Sequence, residues 1–248
     1  MVKGLRKKDN TIITKDEKMK VAVLQSNYIP WKGYFDMIND VDLFIFYDEV
    51  QYTKNDWRNR NKIYSKQGLS WISVPVEYTF GQTIIETKIK TTQNWQLDHW
   101  NKLSNAYKKA PYWDMFKDFF YDVYFNKQWE NLYELNRYLI KTISKDFLGI
   151  TTQFADSRDY YSDGQKADKL LSLLHNVGTT EYVSGPAAKD YISDKQFEAI
   201  GIKVIWKDYS GYKEYKQVRE PFETSVSIVD LLFNTGKDAP IYTFSSKV

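Results

Sequence analysis

The apolar positions of this chain fall in short blocks whose spacing switches between continuous runs and a helical period, and the switches mark its elements. Val21–Leu24 is an unbroken apolar run, the pattern of a strand buried on both faces of a parallel sheet. A loop with Pro30 and Gly33 follows, then Tyr34, Phe35 and Ile38 at helical spacing, Asn39-Asp40 as a stop, and a second apolar run over Val41–Tyr47. This predicts a βαβ unit with parallel strands and a right-handed crossover.

Leu69–Val76 alternates as a strand does, with Gly68 turning into it and Pro75 marking an edge or an end. Thr83–Ile89, set off by Gly81, predicts a second short strand in a hairpin-like excursion. Asn94 is placed to cap a helix running to about Lys108, where Pro111 halts it. Tyr112–Phe125 and Gln128–Leu148 repeat Phe, Tyr and Leu at spacings of three and four, which predicts packed helices, the second closed by Gly149. Downstream, a helix through His175 capped by Ser162 or Asp163 and closed by Gly178, a strand at Glu181–Val183, a helix over Ala187–Ile200 and a strand at Lys203–Trp206 restore the βα alternation. Ser225–Phe233 predicts a last apolar helix. The expected fold is α/β, a mainly parallel Rossmann-like sheet, in a single domain over 19–248 with a helical insertion around 94–148. Residues 1–18 are polar, charged and aperiodic, and read as a flexible extension.

Composition narrows the chemistry. With no cysteine the chain has no disulfide, thiolate ligand or cysteine nucleophile, and two histidines disfavour a histidine-rich metal centre. No apolar run approaches the roughly 20 residues that cross a bilayer, and the charged N-terminus is unlike a signal peptide, so membrane insertion is not expected and a cytoplasmic location is. A net charge of +3, with 35 basic and 32 acidic residues, disfavours nucleic acid as the partner. Tyrosine (20) and tryptophan (8) are the anomaly, because their large apolar bodies with polar tips suit core edges and also pockets that stack on sugars or bases.

In open α/β sheets ligands bind beyond the carboxyl ends of the strands. The loop after the first strand holds Gln25, Asn27, Tyr28, Trp31 and Gly33. The segment after the second holds Asp48, Gln51, Lys54, Trp57, Arg58, Asn59, Arg60 and Asn61. Arginines clamp phosphate or carboxylate bidentately, Lys54 adds a point charge, asparagines read hydroxyls or a base edge, and Trp31 or Trp57 can stack on a ring. A solvated charged loop is the competing reading for the arginines alone. Ser184-Gly185-Pro186 is either an anion cradle at a helix start or simply a competent helix start, and Lys189 and Tyr191 lie just beyond it. His99, beside Asp98 and between Trp95 and Trp100, is a general-base candidate or a packing residue, and Asp48 is the other candidate base. His175, near the end of a leucine-rich helix, reads as structural. Asp36, Asp48, Glu49 and Asp208 are carboxylates to weigh for Mg²⁺, at spacings that specify no metal. The chain has no P-loop, GxGxxG, HExxH or GxSxG motif.

The run from Gln25 through Pro30, Trp31, Gly33 and Phe35, then Tyr47-Asp48 with Gln51-Tyr52, then Trp57-Arg58-Asn59-Arg60-Asn61, resembles the WbqC-like family. His99, Tyr107 with Pro111-Tyr112, Tyr182 through Tyr191, Asp208 with Gly211-Tyr212, and Asp230 with Asn234 and Gly236 extend the likeness from about Lys20 to the end of the chain. One departure is Ser26, where the family generally carries proline. The resemblance implies a role in O-antigen or other surface-polysaccharide biosynthesis, with a glycine or aminoacyl transferase activity on a sugar nucleotide or related activated precursor. In that picture Arg58, Arg60, Lys54 and Lys189 hold phosphate or carboxylate. A second likeness, to nucleotidyltransferases that place HxGH after the first strand, puts Trp31-Lys32-Gly33-Tyr34 in that position. There Gly33 would admit a nucleotide to the helix N-terminus. A nucleic-acid-modifying protein and a noncatalytic scaffold of a biosynthetic complex would use the same aromatic and basic groups.

Overall fold

The computed structural model describes residues 18–190 and 192–245. The sheet has five parallel strands in the order β5 (Gln153–Asp156), β2 (Leu43–Phe46), β1 (Lys20–Leu24), β6 (Glu181–Ser184) and β7 (Lys203–Trp206). β1 lies centrally, paired to β2 along Val21↔Leu43 through Leu24↔Phe46 and to β6 along Lys20↔Glu181 through Ala22↔Val183. Because successive side chains of a strand point to opposite faces, its continuous apolar run feeds two cores at once.

On one face Ala22, Phe44, Phe46 and Val183 pack with α1 (Lys32–Asn39), α2 (Trp95–Tyr107), α3 (Trp113–Tyr121), α4 (Leu132–Thr142) and α7 (Ile228–Thr235). On the other, Val21, Val23, Leu43 and Ile45 pack with α5 (Ala167–Val177) and the short α6 (Asp194–Glu198). A further short helix, α8 (Ala239–Thr243), follows α7. The cap expected at Asn94 forms, its side chain accepting from the Leu97 N–H, and Gly178 closes α5 in the left-handed conformation.

Three expectations are corrected, and one strand was not anticipated. Arg60 and Asn61, read as the end of a polar loop, open strand β3 (Arg60–Ser65), which pairs antiparallel with β4 (Gly68–Ser73) in a separate hairpin. Its inward positions are Asn61 and Ile63, so only one apolar residue marks the buried face and the alternation is hidden. Thr83–Ile89 forms no strand: Glu86 accepts from the Thr83 N–H and hydroxyl, and the Thr87 hydroxyl donates to the Thr83 carbonyl. These side-chain bonds close a local turn instead of a ladder. The helix expected over Ala187–Ile200 is split into a 3-10 turn at Pro186–Asp190 and α6, because Ser193 takes an extended conformation between them. Edge strand β5, four residues long and only half-buried, carried no readable signal. The stretch expected to be a flexible extension lies, except for Lys18, outside the described residues. No helix among the described residues is long and apolar enough to cross a membrane.

Candidate functional site

The chain runs from β1 outward to β2 and β5, then returns to the other side of β1 for β6 and β7, so strand order reverses between β1 and β6. That is where an open α/β sheet leaves a crevice beyond its carboxyl ends. Here aromatic side chains fill it. The Trp31 ring lies 5.1 Å from that of Tyr209 and 6.2 Å from that of Tyr212, and Gly185 lies beneath the Tyr209 hydroxyl.

Gly33 explains why Trp31 can lie there. A Cβ at position 33 would sit 2.3–2.8 Å from three atoms of the Trp31 ring, so only glycine lets the indole fold back over the first turn of α1. The position that would admit a nucleotide to the helix start is occupied by the chain's own tryptophan. Gly33→Ala is expected to expel the indole, a change visible as a shift in tryptophan emission against a Trp31→Phe control. An unchanged spectrum would contradict this account.

Beside Trp31 a cavity of about 330 Å³ opens, lined by Asn27, Pro30, Trp31, Trp57, Asn61, Thr224 and Ser225. Its walls are three irregular segments that hydrogen bonds lace together. The Tyr28 N–H donates to the Trp57 carbonyl at 3.0 Å. Asn61 Nδ2 donates to the carbonyls of Tyr28 (3.2 Å) and Ile29 (2.8 Å), and the Ser227 hydroxyl donates to the same Ile29 carbonyl at 2.6 Å. Ile29 has φ +36°, a conformation a β-branched residue avoids, and these bonds hold it there. Arg58 donates to Asn27 Oδ1 (2.6 Å) and Gln25 Oε1 (3.2 Å), and Asn136 of α4 donates to the carbonyls of Ser26 and Arg58. Departure from proline at Ser26 thus leaves its backbone well anchored.

The expected site residues divide by what they touch. Asn61, Trp31 and Trp57 line the cavity, while Gln25, Tyr28 and Arg58 build its wall. Asn59 is buried and donates to the Val74 carbonyl, bracing the hairpin. Arg60 lies over the Trp71 ring at 4.1 Å, on the outer face of the hairpin. Lys54 is exposed with its ammonium 5.6 Å from the Tyr78 ring, and exposed Gln51 pairs with Thr83. Ser184 ends β6, and Lys189 is exposed with its ammonium 5.3 Å from the Trp206 ring, away from these walls. With the helix after Gly185 reduced to a 3-10 turn, the expected anion cradle has no helix dipole behind it. Tyr191 lies outside the described residues.

The two candidate bases are sealed in the interior. Asp48 has no exposed surface; one carboxylate oxygen accepts from the Ser26 N–H at 2.7 Å and the other from Arg137 Nε at 2.7 Å. Burial pushes its carboxyl up from the usual range, against the opposing pull of Arg137. Arg137 also bonds Asp156, which Arg158 grips from its other side. Burial would raise the Asp156 carboxyl, but the hydrogen bonds from Arg158 and Arg137 outweigh it and hold it well below the usual range. His99 is likewise fully buried, with Nε2 donating to the Ser73 carbonyl at 3.0 Å. Nδ1 is therefore the bare nitrogen and accepts from the Tyr28 hydroxyl at 2.8 Å, which in turn accepts from Tyr124 at 2.7 Å. Burial holds the imidazole neutral, with its pKa lowered to about 4. The remaining carboxylates stand apart: Asp36 bonds Tyr212, Ser245 and Lys207, Asp208 bonds Ser210, and Glu49 pairs with Lys169. Among the described residues no three His, Asp or Glu side chains are grouped to hold a metal.

Thr224 and Ser225 were not anticipated. They belong to an irregular stretch between β7 and α7, and nothing local marks them. Lys32 was also missed. It is buried at the first turn of α1 with its ammonium 4.7 Å from the Tyr212 ring, and burial lowers its pKa to about 8. A lysine at an otherwise apolar helix start was the available signal.

The model of the WbqC-like protein family matches residues 25–242, which contain every wall of this cavity. An uncharacterized protein of Mycobacterium tuberculosis, Rv1507c, is 48% identical over 225 residues, covering 90% of this chain and 96% of the relative. No solved structure matches the chain. With this match over most of its length, the chain belongs to the WbqC-like protein family.

Proposed function

We propose that this protein is a transferase of surface-polysaccharide assembly that binds a sugar nucleotide or related activated precursor, with an aminoacyl group such as glycine as what it transfers. The observation that carries the reading is the cavity of about 330 Å³ between Trp31 and Trp57 at the carboxyl end of β1. Two indoles on facing segments supply walls for a sugar or base ring, and Asn27, Asn61, Thr224 and Ser225 supply the few polar groups that fix its orientation. Lys54, exposed on the segment that carries Trp57, supplies positive charge for phosphate. Asp48 and His99 act here by holding the walls in place, so the reading gives neither of them the proton transfer.

Calorimetric titration of the purified protein with uridine, guanosine, cytidine and thymidine diphosphate sugars tests this. At least one is expected to bind, and Trp57→Ala, at a side chain 43% exposed, is expected to weaken it by about tenfold without unfolding the protein. Absence of binding across the panel would sink the proposal.

A further inference from the structure

The segment that carries the hairpin of β3 and β4 is basic without acidic residues. From Trp57 to Val76 the sequence contains Arg58, Arg60, Lys62 and Lys66 and no aspartate or glutamate. Register decides where these charges go. Asn61, Ile63 and Ile72 face inward and are buried, so the facing pairs Arg60↔Ser73, Lys62↔Trp71 and Tyr64↔Leu69 share the outer face. On that face Trp71 is 40% exposed, with the Arg60 guanidinium 4.1 Å and the Lys62 ammonium 5.2 Å from its ring. Trp57, whose ring lies 5.6 Å from that of Trp71, also lines the cavity, so the face begins where the cavity opens. The Arg60 Nε–H is buried and has no hydrogen-bond partner among the described residues.

We infer that the outer face of the β3–β4 hairpin binds an acidic saccharide chain, with sugar rings against Trp57 and carboxylates on Arg60 and Lys62. The inference rests on the proposed function for the saccharide class; the positive aromatic face is independent of it. Charge complementarity defines the anion: Arg58 pairs with Asp56 at 3.5 Å and turns to the cavity wall, so the cations of this face are Arg60 and Lys62. The aromatic arrangement favours sugar over single-stranded nucleic acid. Successive bases need successive open ring faces, whereas Trp71 already serves as a seat for two cations. A sugar acid uses one exposed ring and lateral positive charge.

The test uses the full chain and three probes: polygalacturonate oligomers, neutral dextran of matched length, and polyuridylate. Polygalacturonate is expected to bind, dextran not, and polyuridylate at least about tenfold more weakly than polygalacturonate. Affinity for polygalacturonate is expected to fall about tenfold between about 50 mM and about 300 mM salt, as screening requires. Lys62→Glu is expected to lower that affinity about tenfold, and Lys62→Arg to retain it. Unfolding midpoints within about 2 °C of the parent establish that both variants fold. Equal binding of dextran, indifference to Lys62→Glu, or tighter binding of polyuridylate would overturn the inference. Sugar nucleotide titration of the same samples separates the two readings. Lost polygalacturonate binding with retained nucleotide binding in Lys62→Glu supports a saccharide face distinct from the cavity. Polygalacturonate binding by a parent protein that takes no sugar nucleotide overturns the proposed function alone.

Discussion

Asp48→Ala is expected to destabilise the protein by about 3–5 kcal/mol, the usual cost of breaking a buried ion pair from one side. The carboxylate has no exposed surface and serves two partners at 2.7 Å, the Ser26 N–H and Arg137 Nε. Its removal strands a buried backbone donor and leaves Arg137 with Asp156 as its carboxylate partner. Because Ser26 begins the loop that carries Asn27 and Trp31, ligand binding should fall together with stability. Chemical denaturation of Asp48→Ala, Arg137→Met and the double variant measures this. The double variant should be less damaging than the sum of the singles, since it removes both charges. An Asp48→Ala protein with the parent's stability but no activity would instead indicate a base in the reaction.

Acidification from pH 7 to pH 4.5 is expected to remove about 2–3 kcal/mol of stability through His99 alone. In the unfolded chain the imidazole titrates at its ordinary 6.5, whereas in the fold its pKa is lowered to about 4 by burial. Below pH 6.5 the unfolded state binds a proton that the folded state refuses. The His99 contribution is therefore complete above about pH 6.5 and is lost as pH falls toward 4. The whole interval from 6.5 to about 4 corresponds to about 3–4 kcal/mol, the last part of it lost only below pH 4.5. Asp156 adds a separate loss at lower pH, because its carboxyl is held below the usual range by Arg158 and Arg137 against the cost of burial, and it stabilises the fold only while ionised. The two limbs are separable: His99→Gln should flatten the slope between pH 6.5 and 4.5, and Asp156→Asn the slope below about pH 4. An unfolding free energy in the parent that is constant from pH 7 to 5 would contradict the buried neutral imidazole.

These results also separate two kinds of polar residue that look alike in the chain. Asp48, Asn59, Asn61, Arg58 and His99 stand out in sequence because no packing rule asks for them. The structure supplies the rule: Asp48, Asn59, Asn61 and Arg58 satisfy a backbone group or a neighbour in irregular segments that have no ladder of their own, and His99 bonds the carbonyl at the end of β4. Of the dense polar cluster after the second strand, Trp57 and Asn61 line the cavity, whereas Asn59 and Arg60 are engaged elsewhere in the hairpin. Lys189 shows the opposite case. It follows a glycine turn at the carboxyl end of β6, yet its ammonium lies near Trp206.

By itself the sequence determined the parallel α/β core, because an apolar run such as Val21–Leu24 is stable only between two covered faces, and the helical period of Tyr34, Phe35 and Ile38 supplies part of that cover. It also marked the region from Gln25 to Asn61, through its concentration of planar polar and aromatic groups, and five residues of that region line the cavity. Only the tertiary structure decided which of those groups line the cavity. That depended on the register of β3 against β4, on the indole of Trp31 taking the space left by Gly33, and on Thr224 and Ser225 arriving from far along the chain. The physical reason is that local patterns encode which surfaces must be buried, whereas a cavity is what remains when distant segments are held apart by bonds none of them specifies alone.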